Sequence, residues 1–170
     1  GAMGDRLWQL ARGGDTRRVA RDTAVKSISK ETTFNEDTTD RDLLQGHLWR
    51  LAEQVADRAK ARDLAGRTIT LKLKRSDFSS ISRRHSLSSP TQSADRIWRE
   101  AQALLDALPD KGPFRLIGTG ISDLTCDDQA DRTADLLDPD AGKRAAAEAA
   151  TDRIRARFGR NAIIKGRALK

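Results

Sequence analysis

Lys26-Ser27-Ile28-Ser29-Lys30-Glu31-Thr32-Thr33-Phe34 alternates apolar or β-branched residues with small polar and charged ones, which is the period of an extended strand. Side chains of a strand point to its two faces in turn, so Ile28 and Phe34 enter a core while Ser27 and Ser29 face outward. Small outward residues let another backbone come close. Between Lys26 and Lys30, such a strand fits along an anion-rich chain, and the rest of the sequence decides what that chain is.

Downstream, Thr39-Asp40 supplies a helix cap, and Leu44, Leu48, Leu51, Val55 and Ala59 then recur every three or four residues. Gly66 is expected to end this helical region. Thr68-Ile69-Thr70-Leu71-Lys72-Leu73-Lys74-Arg75 alternates strictly, with Ile69, Leu71 and Leu73 on one face and Thr68, Thr70, Lys72 and Lys74 on the other. After a Ser76-Asp77 turn, a third strand is predicted over 79–88, anchored by Ile81 and Leu87 and closed by Pro90. A second helix follows Ser93, with Ala94, Ile97, Trp98, Ala101, Leu105 and Leu108 on its stripe, and Pro109 and Gly112 mark its end. A fourth strand runs over 114–124.

Strand, helix, strand, strand, helix, strand is the split βαβ order, and it predicts an α+β domain whose four-stranded sheet is covered on one face by two helices. The other face stays open. It offers Lys, Arg, Ser and Thr instead of a second apolar layer. Any single lysine there is an ordinary solvated residue. The recurrence of Lys26, Lys30, Lys72, Lys74, Arg75, Arg83, Arg84 and Arg115 on successive strands, among hydroxyls and few acids, suits a phosphate backbone. The strands provide only Phe34 and Phe114 as aromatics, both suited to the core, so base stacking in the manner of RNA-binding sheets is disfavoured.

Composition agrees with that direction. The 170 residues carry a formal charge of +7, with a pI near 10.1, and excess positive charge favours polyanionic partners or simple solubility. Cys126 is the single cysteine and the histidines are His47 and His85, which leaves neither a disulfide framework nor a zinc constellation. A reducing, cytoplasmic location is expected, with no membrane partner, since no apolar run reaches the ~18 residues of a span. A nuclease would need acids clustered beside the basic sheet; Asp37, Asp40 and Asp42 read instead as capping and first-turn residues of the helix that follows.

The flanks read differently. Gly1-Ala2-Met3 resembles a tag remnant, and Leu7, Trp8, Leu10 and Ala11 form the end of a short helix that stops at Gly13-Gly14. With little in so short a helix to bury Trp8, it reads as the end of an upstream unit. Residues 14–24 form a basic linker with Arg17, Arg18 and Arg21. Past the fourth strand, residues 126–140 form an acidic linker containing Asp127, Asp128, Asp131, Asp135, Asp138 and Asp140, and 141–170 comprise a helix over 141–158 plus a basic tail, with Ile154 and Phe158 as the expected anchors.

The segments 26–34, 66–74 and Phe114-Arg115-Leu116-Ile117-Gly118-Thr119-Gly120-Ile121-Ser122, in that order and preceded by Leu7-Trp8-Gln9-Leu10-Ala11-Arg12-Gly13, resemble the C-terminal part of bacterial DNA polymerase IV, a Y-family translesion polymerase. The resemblance implies that 1–13 end in the thumb helix and that 25–125 are the little finger domain. It also implies that this domain grips template-primer duplex DNA. Phosphate contacts in the family come from the first, third and last strands, which on matching positions nominates Ser27, Ser29 and Lys30, then Ser82, Arg83 and Arg84, then Arg115. Where family members carry further basic residues on the last strand, this chain has Leu116 and Gly120. The palm and fingers that hold the family's metal-binding carboxylates are not matched here, so the resemblance assigns nucleotidyl transfer and its Mg to the parent polymerase, with no cofactor in this segment. Thr133-Ala134-Asp135-Leu136-Leu137 resembles a degenerate sliding-clamp-binding pentapeptide, with Thr133 in place of glutamine and Leu137 in place of the commoner phenylalanine. Clamp recruitment is the alternative function.

Overall fold

The computed structural model describes residues 25–126, 130–131, 140–164 and 166. The linker and short helix before residue 25 and the pentapeptide at 133–137 lie outside the described residues. Strand β1 spans Ser27–Thr38, helix α1 Arg41–Lys60, β2 Leu64–Arg75, β3 Ser80–Thr91, α2 Ala94–Asp106, β4 Phe114–Cys126 and α3 Ala141–Phe158. The sheet order is β1-β4-β2-β3, and every neighbouring pair is antiparallel. Each helical crossover therefore joins two parallel strands with one strand between them: β4 lies between β1 and β2, and β2 between β3 and β4.

Both caps act through the residues that predicted them. Asp40 Oδ1 accepts from the amides of Asp42 and Leu43 at 2.9 and 3.2 Å, and Ser93 Oγ accepts from the amide of Arg96, which satisfies donors that a helix start leaves open. The α1 stripe of Leu44, Leu48, Leu51, Val55 and Ala59 is buried, joined by Trp49, Ala52 and Ala56. Against it pack Ile97, Ala101 and Leu105 of α2 and Ile69, Leu71, Leu73, Ile117 and Ile121 of the sheet. Trp49 and Trp98 meet edge to face at 5.6 Å between the two helices.

Several boundaries differ from expectation. Gly66 lies inside β2, and the helix ends instead at Ala61, with Asp63 in the left-handed region at φ 52°. Strand β3 continues through Pro90 to Thr91. Ser86 faces Thr68 and Thr91 faces Gly66, so residues 87–90 bulge opposite Arg67 alone. An edge strand with a bulge is where a proline's missing N–H leaves no gap in the ladder. Strand β4 reaches Cys126, which faces Leu64. Asp37 belongs to β1 and caps nothing in α1.

Helix α3 spans the predicted residues but docks by a different chemistry. Phe158 is 67% exposed and Ile154 37%, so neither is an anchor. Glu148 is the buried residue, 7% exposed. Its carboxylate accepts from Lys60 Nζ at 2.8 Å, Ser93 Oγ at 2.7 Å and the Ala94 amide at 2.9 Å, a second acceptor at the start of α2. Around it lie ion pairs Lys60–Asp152, Arg144–Asp95, Arg155–Glu53 and Arg160–Asp57. Burial works to raise the Glu148 carboxyl, but the Lys60 charge and the hydrogen bonds outweigh it and hold the group below its ordinary value. Burial likewise works to lower Lys60, and the Glu148 charge with bonds to Asp152 and Glu148 raises it on balance. Alanine and arginine dominate α3, so this helix attaches by charge where α1 and α2 attach by apolar area.

Candidate nucleic-acid interface

Alternation along each strand, combined with the register between strands, sorts the sheet into transverse rows. Rows Ile28–Ile121–Ile69–His85 and Thr32–Ile117–Leu73–Ile81 face the helices. Between them lies Lys30–Thr119–Leu71–Arg83 on the same face. On the open face the rows are Ser27–Ser122–Thr68–Ser86, Ser29–Gly120–Thr70–Arg84, Glu31–Gly118–Lys72–Ser82 and Thr33–Leu116–Lys74–Ser80. Hydroxyls, cations and glycines make up these rows apart from Glu31 and Leu116.

Gly118 and Gly120 give this face its relief. A Cβ at Gly120 would stand 2.6 Å from Ser29 Cβ, and one at Gly118 would stand 2.8 Å from Glu31 Cβ. Their absence allows β1 to close on β4 and leaves a floor of bare backbone. Above that floor runs a shallow groove of 390 Å³, walled by Lys26, Ser27, Ser29, Lys30 and Glu31 on one side and Thr70, Lys72 and Arg84 on the other. Glu31 is its one acid among the described residues, and it pairs with Lys72 at 2.7 Å. A concave strip lined by hydroxyls and cations offers donors to a chain of phosphates.

The predicted site residues divide accordingly. Lys26, Ser27, Ser29, Lys72 and Arg84 line the groove. Ser82 shares the open face through its place beside Lys72. Lys30 also lines the groove, from the β1 edge, although its row turns toward the helices. Arg83 stands in that same row at the β3 edge, donating to the carbonyl of Ser82 at 3.0 Å. Arg75 turns away to Asp110, with Nε to Oδ2 at 2.7 Å; the Gly112 amide and then Arg75 hold the Asp110 carboxyl below its ordinary value. Lys74 and Arg115 meet at the ring of Phe78, with Lys74 Nζ 5.6 Å and Arg115 Cζ 5.1 Å from its centroid.

Sequence reasoning placed Thr70 on the open face without naming it as a contact, and it did not single out Glu31, Gly118 or Phe78. Glycines two apart on one strand face are a usable sign of close backbone approach, so Gly118-Thr119-Gly120 carried a signal for the groove. Phe78 reads in sequence only as part of a turn. Among the described residues no three His, Cys, Asp or Glu side chains converge as a metal-ligand set would, and no helix is long and apolar enough to cross a membrane.

The model of the impB/mucB/samB family C-terminal domain matches residues 25–136. A DNA polymerase IV of Brucella melitensis is 49% identical over 98% of this chain and 37% of its own length. One from Caulobacter vibrioides is 42% identical over the whole chain and 42% of its own length. The chain thus spans well under half the length of these curated relatives. Among solved structures, a Y-family DNA polymerase chimera covers 74% of the chain, at a TM-score of 0.57 and 20% identity, over 36% of its own length. A complex of a beta-clamp processivity factor and the little finger domain of PolIV covers 65% of this chain and 97% of that one, at a TM-score of 0.50 and 22% identity. These two likenesses show the fold. Matched across both halves of the sheet and both covering helices, the chain belongs to the impB/mucB/samB family and contains its C-terminal domain.

Proposed function

We propose that the open sheet face grips duplex DNA through its backbone phosphates, as the DNA-holding domain of a parent translesion polymerase. The observation that carries this reading is the groove itself, where hydroxyls and cations line a floor of glycine backbone and no apolar layer competes for the face. Such contacts position a duplex without reading its bases, so binding is sequence-independent and sensitive to salt. If about four phosphates are neutralised, log affinity falls with log salt at a slope of roughly −3.6. A flat salt dependence, or strong preference for one sequence, would overturn the reading. Nucleotidyl transfer and its Mg belong in this proposal to the parent polymerase, so the chain alone does not extend a primer.

Recruitment to a sliding clamp is a second reading, supported by the clamp-bound little finger among the fold neighbours and by the 133–137 pentapeptide. Leu136 and Leu137 would be its apolar anchors. Clamp binding by the chain is expected to fall in a Leu136→Ala, Leu137→Ala variant while DNA binding persists; equal clamp binding by both proteins would remove the motif from the account.

A further inference from the structure

Phe78 stands at the tip of the β2–β3 hairpin with φ at 65°, a left-handed conformation that costs a bulky side chain free energy and that glycine or asparagine would adopt more readily. The turn holds it there: the Phe78 amide donates to the carbonyl of Arg75 at 3.0 Å, and Asp77 Oδ1 accepts from the Ser79 amide at 2.9 Å. Burial does not offset the cost, because Phe78 is 61% exposed. Within the sheet-and-helix unit it is the exposed aromatic, whereas Trp49 and Phe114 are buried and Phe34 and Trp98 pack on the core. A strained, exposed ring is a sign of function when the fold itself gains little from it.

Its neighbours narrow the ligand. Lys74 and Arg115 lie over the ring, so an apolar protein side chain docking there would have to desolvate two cations. A nucleotide meets both demands, with a flat π face for the ring and a phosphate for the cations. Bases inside a duplex have their faces covered by their neighbours in the stack, so away from the duplex end it is unpaired bases that are free to stack. We propose that Phe78, with Lys74 and Arg115, forms a stacking platform for an unpaired nucleotide beyond the end of the gripped duplex. The proposal rests on the reading of the sheet as a DNA grip and adds a single-strand site at its hairpin end.

The test compares a blunt duplex with the same duplex carrying a single-stranded extension that contains a fluorescent adenine analogue. Wild type is expected to bind the extended DNA about ten-fold more tightly and to quench the analogue on stacking. Phe78→Leu keeps bulk but lacks the π face, and Phe78→Gly relieves the backbone. Both are expected to lose the preference and the quenching while binding blunt duplex as wild type does, with the melting temperature of Phe78→Gly unchanged or higher. Phe78→Trp is expected to retain stacking. Equal affinity of wild type for the two DNAs would overturn the platform and leave the duplex grip standing. Preference for the extension without blunt-duplex binding would overturn the grip and keep the platform. If Phe78→Leu loses blunt-duplex binding to the same degree, the ring only braces Lys74 and Arg115, and the platform is wrong.

Discussion

Glu31 and Lys72 reach each other across β4, carboxylate to ammonium at 2.7 Å, over the backbone of Gly118 that both strands pair with. Both side chains are about half exposed, so the pair contributes little to stability, on the order of 0–1 kcal/mol. Its effect falls on the groove. A phosphate entering there meets a carboxylate and competes with it for Lys72. Glu31→Gln is therefore expected to tighten duplex binding several-fold at low salt and to steepen the salt slope by up to about 0.9, one phosphate contact. Fluorescence anisotropy across a salt series checks this, and unchanged affinity and slope would show that Lys72 is not a phosphate ligand.

Gly120 offers a test of the groove floor. An alanine Cβ there meets Ser29 Cβ at 2.6 Å and the Ile28 carbonyl at 2.8 Å, contacts that force β1 away from β4. Gly120→Ala is expected to cost about 1–3 kcal/mol by overpacking, and to weaken duplex binding because Ser27 and Ser29 move with β1. Thermal denaturation and binding at fixed salt check the two effects separately.

How far the sequence foretold this arrangement depends on which period carried each residue. The α1 and α2 stripes, the Asp40 and Ser93 caps and the alternation of β2 were legible because burial repeats every three or four residues in a helix and every two in a strand. Register was not legible, and it decides which residues stand side by side: alternation alone puts the adjacent Arg83 and Arg84 on opposite sides of the sheet, but only β2 pairing sets Arg84 beside Thr70 and Ser82 beside Lys72. Strand order was hidden for the same reason, since hydrophobic pattern does not say that β4 separates β1 from β2. The docking of α3 escaped because it depends on one buried carboxylate meeting the start of a distant helix, and apolar spacing favoured Ile154 and Phe158 instead.

Glu148 makes that docking pH-dependent. Its carboxyl in the folded chain lies below the ordinary 4.5, so its contribution is in full above that value and is lost as pH falls through the depressed one. Lys60 lies above its ordinary 10.5; its contribution is in full below that value and is lost as pH rises through the raised one. The α3 attachment is expected to hold between these limits and to loosen beyond either of them. Glu148→Ala removes the acceptor of four donors and is expected to cost about 2–3 kcal/mol, read as faster proteolysis of α3. Duplex binding on the far side of the sheet should stay as it is.

Arg84 and Arg83 separate the groove from mere positive charge. Arg84 stands opposite Thr70 on the open face and lines the groove, while Arg83 stands opposite Leu71, in the row that turns toward the helices. Both variants to alanine remove one unit of charge, so a purely nonspecific attraction to DNA would weaken equally in each. If phosphates lie in the groove, Arg84→Ala should flatten the salt slope by about 0.9, one lost phosphate contact, and Arg83→Ala should change it far less. The two variants should also behave differently with Glu31→Gln. Arg84 and Lys72 share one groove, so the tightening from Glu31→Gln should shrink when Arg84 is absent and persist when Arg83 is absent. Equal slopes for the two arginine variants would mean that the DNA does not distinguish the faces of the sheet, and the duplex would then have to be placed along the β3 edge, where both arginines are within reach.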